Sequence, residues 1–181
     1  NIWNKNGGWS LSDKTIGIIG FGNIGKELFK LLKPFKLNVL VNDILDFSSF
    51  AISNNIKMVD KKTIYKKSNI ISIHTPLTEL TENMINKSSI SKMRSDVIII
   101  NTARGKIINE YDLKKSLLNK RIAGAALDVY SSEPPEDKEL MKIPNLICTP
   151  HIAGNSYEAV YDMGMATIKN LINFKKEFSN K

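Results

Sequence analysis

Three side chains of complementary chemistry each follow an apolar run. Arg104 comes after Val97-Ile98-Ile99-Ile100, Glu133 lies in the polar loop beyond Ala125-Ala126-Leu127-Asp128, and His151 comes after Leu146-Ile147-Cys148-Thr149-Pro150. An imidazole with a pKa near working pH can take the proton of an alcohol as a hydride leaves its carbon. A carboxylate beside an imidazole raises its pKa and orients the ring. A guanidinium can grip a carboxylate in a fork and polarise a carbonyl. Taken singly, these residues read more simply as a surface charge, a loop carboxylate and a turn histidine bonded to backbone. Taken together, they suit reversible oxidation of an alcohol that carries a carboxylate, provided a hydride acceptor binds beside them.

A site for that acceptor is legible near the start of the chain. The apolar run Thr15-Ile16-Gly17-Ile18-Ile19 leads into Gly20-Phe21-Gly22-Asn23-Ile24-Gly25, a helical pattern follows, and Val39-Leu40-Val41-Asn42 ends on Asp43. Strand, glycine turn, helix, strand and acid form the layout of a dinucleotide-binding βαβ unit. Gly20 permits the tight turn, Gly22 admits a pyrophosphate close to the backbone, and Gly25 lets helix and strand pack closely. The helix N-terminus offers unpaired N–H groups to phosphate. Asp43 is placed to accept hydrogen bonds from the adenosine ribose. No arginine occurs in Ile44-Leu45-Asp46, and a carboxylate there repels a 2′-phosphate, so the expected cofactor is NAD rather than NADP.

The elements that must position these groups alternate. Apolar runs predict strands at 15–19, 38–42, 70–74, 97–101, 123–127 and 145–148; helical patterns lie at 23–33, 46–53, 60–67, 87–92, 109–119 and 155–178. Strands separated by helices imply right-handed crossovers and a parallel sheet. Near-continuous apolar strands imply a sheet covered on both faces. The fold class is therefore α/β, a doubly wound parallel sheet of the Rossmann type, with six strands. Such sheets bind ligands at the carboxyl ends of their strands, and the unusual residues fall there: His74-Thr75-Pro76, Asn101-Thr102-Ala103-Arg104-Gly105, Asp128, and Pro150-His151. Asp128 could cap a backbone turn or bond the nicotinamide carboxamide. His74 reads as lining the cofactor site rather than as a catalyst.

Bulk properties narrow the function. The chain has 181 residues, the size of one domain, and its apolar share of 42% allows a sizeable core. No apolar run is long enough to span a membrane, and no signal peptide is evident. Two histidines and one cysteine leave too few soft ligands for a zinc site, so no metal is expected. Cys148, read as a buried strand residue, fits a reducing compartment and hence the cytoplasm. The net charge of +8 is spread over pairs such as Lys61-Lys62 and Lys66-Lys67 that read as solvated helix faces. Without interleaved aromatics it does not indicate nucleic acid. Trp3 and Trp9 read as packing on the outside of the domain or on a partner subunit. The chain starts at Asn1 rather than at a methionine, so a longer parent protein is expected.

At this point the motifs match a known pattern. Thr15 to Gly25, His74-Thr75-Pro76-Leu77-Thr78, Asn101 to Gly105, Gly124-Ala125-Ala126-Leu127-Asp128-Val129-Tyr130, Glu133-Pro134 and Thr149-Pro150-His151-Ile152-Ala153-Gly154 stand in the order of one family. The chain resembles the NAD-binding domain of the D-isomer-specific 2-hydroxyacid dehydrogenases along nearly its whole length. The resemblance implies a catalytic Arg104, a Glu133–His151 pair and a proton-transferring His151. It implies NAD contacts from Asn23, Ile24, Asp43, Thr75, Thr81, Asp128 and the segment from His151 through Ala153 to Gly154. The motif positions His74, Pro76, Thr102, Ala103 and Arg104 join the glycines of the turn in that binding set. The substrate implied is a small 2-hydroxy or 2-oxo acid, and the assembly a homodimer formed through this domain. Ala125 to Gly154 looks most like the phosphoglycerate dehydrogenase branch. The family's substrate domain is missing from this chain, and Asn155 stands where many relatives carry a small residue. A rival reading is an NAD(H)-sensing module without turnover, as in the family's corepressor relatives; the retained Arg104, Glu133 and His151 favour the enzyme.

Overall fold

The computed structural model describes residues 8–179. Seven parallel strands form one sheet in the order β3-β2-β1-β4-β5-β6-β7. They are β1 (Thr15–Ile19), β2 (Asn38–Asn42), β3 (Lys57–Met58), β4 (Ile70–Ile73), β5 (Ile98–Asn101), β6 (Gly124–Leu127) and β7 (Leu146–Cys148). The helices are α1 (Asn23–Leu32), α2 (Ser48–Ser53), α3 (Lys61–Lys67), α4 (Lys87–Ile90), α5 (Glu110–Leu118) and α6 (Tyr157–Ser179). The strand order reverses between β1 and β4, which opens a crevice at their carboxyl ends.

The seventh strand corrects the expected count of six. β3 is a two-residue extension paired as Leu40↔Lys57 and Val41↔Met58. Two residues are too short to show an apolar period, so only the neighbouring strand reveals them. The six expected strands are all present, with ends shifted by a residue at most.

Two cores hold the sheet. On one side of β1 and β2, Ile16, Ile18, Phe21, Phe29, Val41 and Ala51 pack together. Phe21 is fully buried there, with Phe50 at 5.5 Å and Phe47 at 5.9 Å between ring centroids. The larger core joins Ile64 of α3, Ile90 of α4 and Leu113 and Leu117 of α5 to Ile71, Ile73, Ile99, Ala125, Leu127 and Leu146 of the strands. Each of these isoleucines and leucines removes roughly 1.5–3 kcal/mol worth of apolar surface from water.

The expectation of a sheet covered on both faces holds for β1 and β2 but not throughout. Ile98 of β5 and Ile147 of β7 are exposed on the face opposite α4 and α5. α6 does not bury them, and its own Tyr157, Tyr161 and Leu171 are exposed. Cys148 is in a strand as expected but only half buried, because β7 is the sheet edge. Lys62, Lys66 and Lys67 are solvated on α3 while Ile64 and Tyr65 face inward. Trp9 is exposed with the Lys14 ammonium 5.3 Å from its ring centroid; Trp3 lies outside the described residues.

Candidate active site

The glycine turn sits where β1 hands over to α1. Gly20 has φ +92°, a left-handed conformation that L side chains rarely adopt. Its Cα lies against the His74-Thr75 backbone, where an added Cβ would come within 2.6 Å of the His74 carbonyl. A Cβ on Gly25 would meet the Gly20 carbonyl, so this glycine allows α1 to close onto the turn. Gly22 is different, since a Cβ there would point into open space. It is also the N-cap of α1, with no side-chain cap and no acid in the first turn. The helix therefore presents its first N–H groups, and its positive end, to whatever lies above Gly22. Asn23 and Ile24 are exposed beside it.

Asp43 closes this turn from below. The Phe21 amide donates to its Oδ2 at 2.6 Å and the Leu45 amide to its Oδ1 at 2.9 Å. The carboxylate thus holds the glycine turn. Across the crevice, the Thr75 hydroxyl is buried with no hydrogen-bond partner. Pro76 is exposed, and Thr81 shapes its loop by accepting from the Thr78 amide (2.8 Å) and donating to the Pro76 carbonyl (2.7 Å). His74 pairs its Nε2 with the Ser72 hydroxyl at 2.8 Å, and burial pushes its pKa down, which favours the neutral ring. An open glycine at an uncapped helix start, with an unpartnered hydroxyl buried in the neighbouring strand-end loop, fits an anionic, hydrogen-bonding ligand such as a dinucleotide.

At the far side of the same edge, His151 and Glu133 meet. His151 Nδ1 lies 2.7 Å from Glu133 Oε2, and the Tyr130 amide donates to Glu133 Oε1 at 3.1 Å. The imidazole and that amide hold the Glu133 carboxyl below its ordinary pKa, so it is ionised at working pH. The His151 backbone has φ +56°, unusual for a residue with a Cβ. Asp128 maintains it. Its Oδ1 accepts from the Thr149 hydroxyl (2.5 Å) and the Ile152 amide (2.9 Å), and its Oδ2 from the Ala153 amide (2.9 Å). Burial alone would raise the Asp128 carboxyl; the Thr149 hydroxyl and the two amides outweigh it and lower the pKa. Asp128 thus caps the turn around His151. Gly154 is open to solvent just beyond.

Arg104 stands on the neighbouring loop. Asn101, fully buried at the end of β5, donates from Nδ2 to the Arg104 carbonyl (2.9 Å) and accepts the Ala103 amide on Oδ1 (3.0 Å). Thr102 and Arg104 are exposed on this clamped loop while Ala103 is buried. The guanidinium turns back to the Ala103 carbonyl at 2.6 Å, so the structure brings Glu133 and His151 together but leaves Arg104 on its own loop. Asn101 and Thr149 were not singled out from sequence as site residues. Their signal was available, since each is a polar residue closing an otherwise apolar strand.

The open grooves elsewhere do not compete with this edge. One of about 930 Å³, between α4 and α5, is lined by Tyr111, Lys115 and Arg121 on the helical face, well away from the strand ends that carry the pair. Among the described residues no cluster could hold a metal ion, and no helix is long and apolar enough to cross a membrane.

Known proteins share this sequence pattern and fold. D-3-phosphoglycerate dehydrogenase of Archaeoglobus fulgidus is 38% identical over 170 residues, covering 93% of this chain and 32% of that protein. Hydroxypyruvate reductase of Thermotoga maritima is 37% identical over 174 residues, covering 93% of this chain and 56% of the relative. The NAD-complexed D-isomer specific 2-hydroxyacid dehydrogenase of Lactobacillus delbrueckii ssp. bulgaricus superposes with a TM-score of 0.82 at 30% identity, over 91% of this chain and 53% of that one. The chain thus spans about half, or less, of the length of these relatives. The family model for the D-isomer specific 2-hydroxyacid dehydrogenase NAD binding domain matches residues 1–153, and the chain belongs to that family as an NAD-binding domain.

Proposed function

We propose that this chain is the cofactor half of an NAD-dependent oxidoreductase that interconverts a small 2-hydroxy acid and its 2-oxo acid. The observation that carries the reading is the 2.7 Å His151–Glu133 contact on the same sheet edge as the dinucleotide turn. NAD, when bound, supplies the hydride acceptor and donor. Gly22, the start of α1, Asp43 and Thr75 would hold it. With Nδ1 committed to Glu133, Nε2 is the ring nitrogen left for a substrate. In the oxidation direction Nε2 takes the hydroxyl proton, and in reduction it returns that proton to the oxygen. Glu133 orients the ring through Nδ1. Arg104, on a loop clamped by Asn101, is placed to fork a substrate carboxylate.

The reading includes a homodimer and a cytoplasmic setting. The first rests on the family resemblance and the second on the lone Cys148. Sedimentation of the purified protein and cell fractionation test them. For the chemistry, His151 is half exposed, so the described residues supply one wall of the cleft. Orientation within a closed site accounts for roughly 7–11 kcal/mol of a barrier of this kind. Residues 1–181 are therefore expected to bind NADH without reducing 2-oxo acids. Extended to the length of its relatives, the protein should turn over, and 3-phosphoglycerate is the first acid to try. In that protein His151→Ala should lower kcat by about 10²-fold or more with NADH affinity little changed. An undiminished kcat removes His151 from its role. Turnover of ~1 s⁻¹ by residues 1–181 alone, an ordinary enzyme rate, contradicts the half-site reading.

A further inference from the structure

Glu133 lies on an exposed loop, yet its carboxylate must reach one nitrogen of His151. The structure shows what steadies that loop. Near its start, Ser131 donates its amide to Glu110 Oε1 at 2.5 Å and its hydroxyl to Glu110 Oε2 at 2.7 Å. At its far end, the Lys114 ammonium lies 2.7 Å from Asp137 Oδ2 and 2.9 Å from Oδ1. Glu110 and Lys114 are one turn apart on α5, so a single helix face grips both ends of the segment that carries Glu133. α5 is itself anchored. Asn109, its N-cap, accepts from the Asp112 amide at 3.0 Å and donates its own amide to the Ile85 carbonyl at 2.8 Å. A third contact lies alongside, where Gly105 packs directly on the Tyr130 backbone. The segment from Gly105 to Lys114 thus carries Arg104 at its head and holds the Glu133 loop along its length.

We infer that Glu110, seconded by Lys114, is a positioning residue of the active site: it holds Ser131, and with it the loop, so that Glu133 meets His151 Nδ1. This rests on the functional reading of the Glu133–His151 pair. The grip is geometric, two acceptors on two donors of one residue. A glutamine in place of Glu110 keeps it, since its carbonyl accepts the Ser131 amide and its NH₂ donates to the Ser131 hydroxyl.

The test reads the ring directly and needs no turnover. In a neutral imidazole the proton sits on the nitrogen whose hydrogen bond demands it, so Glu133 should hold it on Nδ1. Nitrogen-15 NMR of the two ring nitrogens, at alkaline pH on residues 1–181, measures that tautomer. There are only two histidines, and His74, bonded through Nε2 to Ser72, is the internal reference. Glu133→Ala should move His151 toward the Nε2–H form. Glu110→Ala should lower the Nδ1–H fraction about two-fold, Lys114→Ala should lower it less, and Glu110→Gln should resemble wild type. Circular dichroism confirms that each variant is folded; a purely structural brace leaves the tautomer of a folded protein unmoved. If Glu133→Ala shifts the ring and neither Glu110→Ala nor Lys114→Ala does, the clamp is overturned and the functional reading survives. If Glu110→Gln shifts it as far as Glu110→Ala, the geometric role is overturned. If Glu133→Ala has no effect, the pair itself is absent in solution and the functional reading falls with it. Should Glu110→Ala fail to fold, Lys114→Ala and Glu110→Gln decide the question.

Discussion

Replacing Gly22 by alanine separates stability from cofactor binding. The new Cβ meets no atom within 4 Å, and the backbone at φ −71°, ψ −152° accommodates alanine. Alanine is a poorer N-cap than glycine by roughly 1 kcal/mol. It also restricts the unfolded chain, which stabilises by about 0.4–1 kcal/mol. The two nearly cancel, so the unfolding free energy should change by less than about 0.5 kcal/mol, a small fraction of 1 M in urea midpoint. The open space that makes the change harmless is where a pyrophosphate must approach the start of α1. The added methyl group should therefore raise the Kd for NADH at least about ten-fold, or 1.4 kcal/mol. Gly20→Ala should do the reverse of harmless: at φ +92°, with the His74 carbonyl 2.6 Å from the new Cβ, it should cost roughly 1–3 kcal/mol of stability. Urea unfolding and NADH titration calorimetry on the two variants give the four numbers needed. Wild-type NADH affinity in Gly22→Ala would show that the cofactor does not cross this turn. A loss of more than about 2 kcal/mol in its stability would show that the space above Gly22 is not open.

Three further outcomes are expected. Asp43→Ala should narrow the preference for NADH over NADPH, and should also lower stability because Phe21 and Leu45 lose an acceptor; equal loss of affinity for both cofactors would mean that Asp43 does not discriminate. Gly105→Ala places a Cβ directly on the Tyr130 carbonyl, backbone against backbone with no side chain to swing aside, and should cost about 1–3 kcal/mol in urea unfolding; a neutral result would place the two loops further apart. Asp128 has a lowered folded pKa, so its stabilisation is complete above its unfolded value near 3.9 and is lost as pH falls through the lower folded value. Asp128→Asn should be less stable than wild type at pH 7 and should flatten the decline of urea midpoint below about pH 4; parallel pH profiles would contradict the assignment.

Much of this molecule is local, and local physics is legible in a chain. The glycine turn could be read because tolerance of positive φ and of close backbone approach is a property of glycine itself. The strands could be read because Ile70–Ile73 and Ile98–Asn101 are short, β-branched apolar runs set between helical patterns. Alternation with helices then delivered parallel order, and with it the sheet edge whose loops carry Arg104, Glu133 and His151. The family followed from those same residues in their order.

What the tertiary structure alone decided is how the side chains spend their hydrogen bonds. Composition and period could not show that Asp43 is partly taken up by the Phe21 amide, or that Asp128 is used by the turn around His151. They could not place a left-handed backbone on a histidine rather than a glycine. They missed β3, which exists only because Leu40 and Val41 offer it partners, and they covered a sheet face that Ile98 and Ile147 leave open. The physical reason is common to all of these. Hydrophobic period and turn chemistry act over a few residues, whereas a carboxylate chooses among donors that the fold brings from 20 or more positions away, as Thr149 and Ile152 reach Asp128.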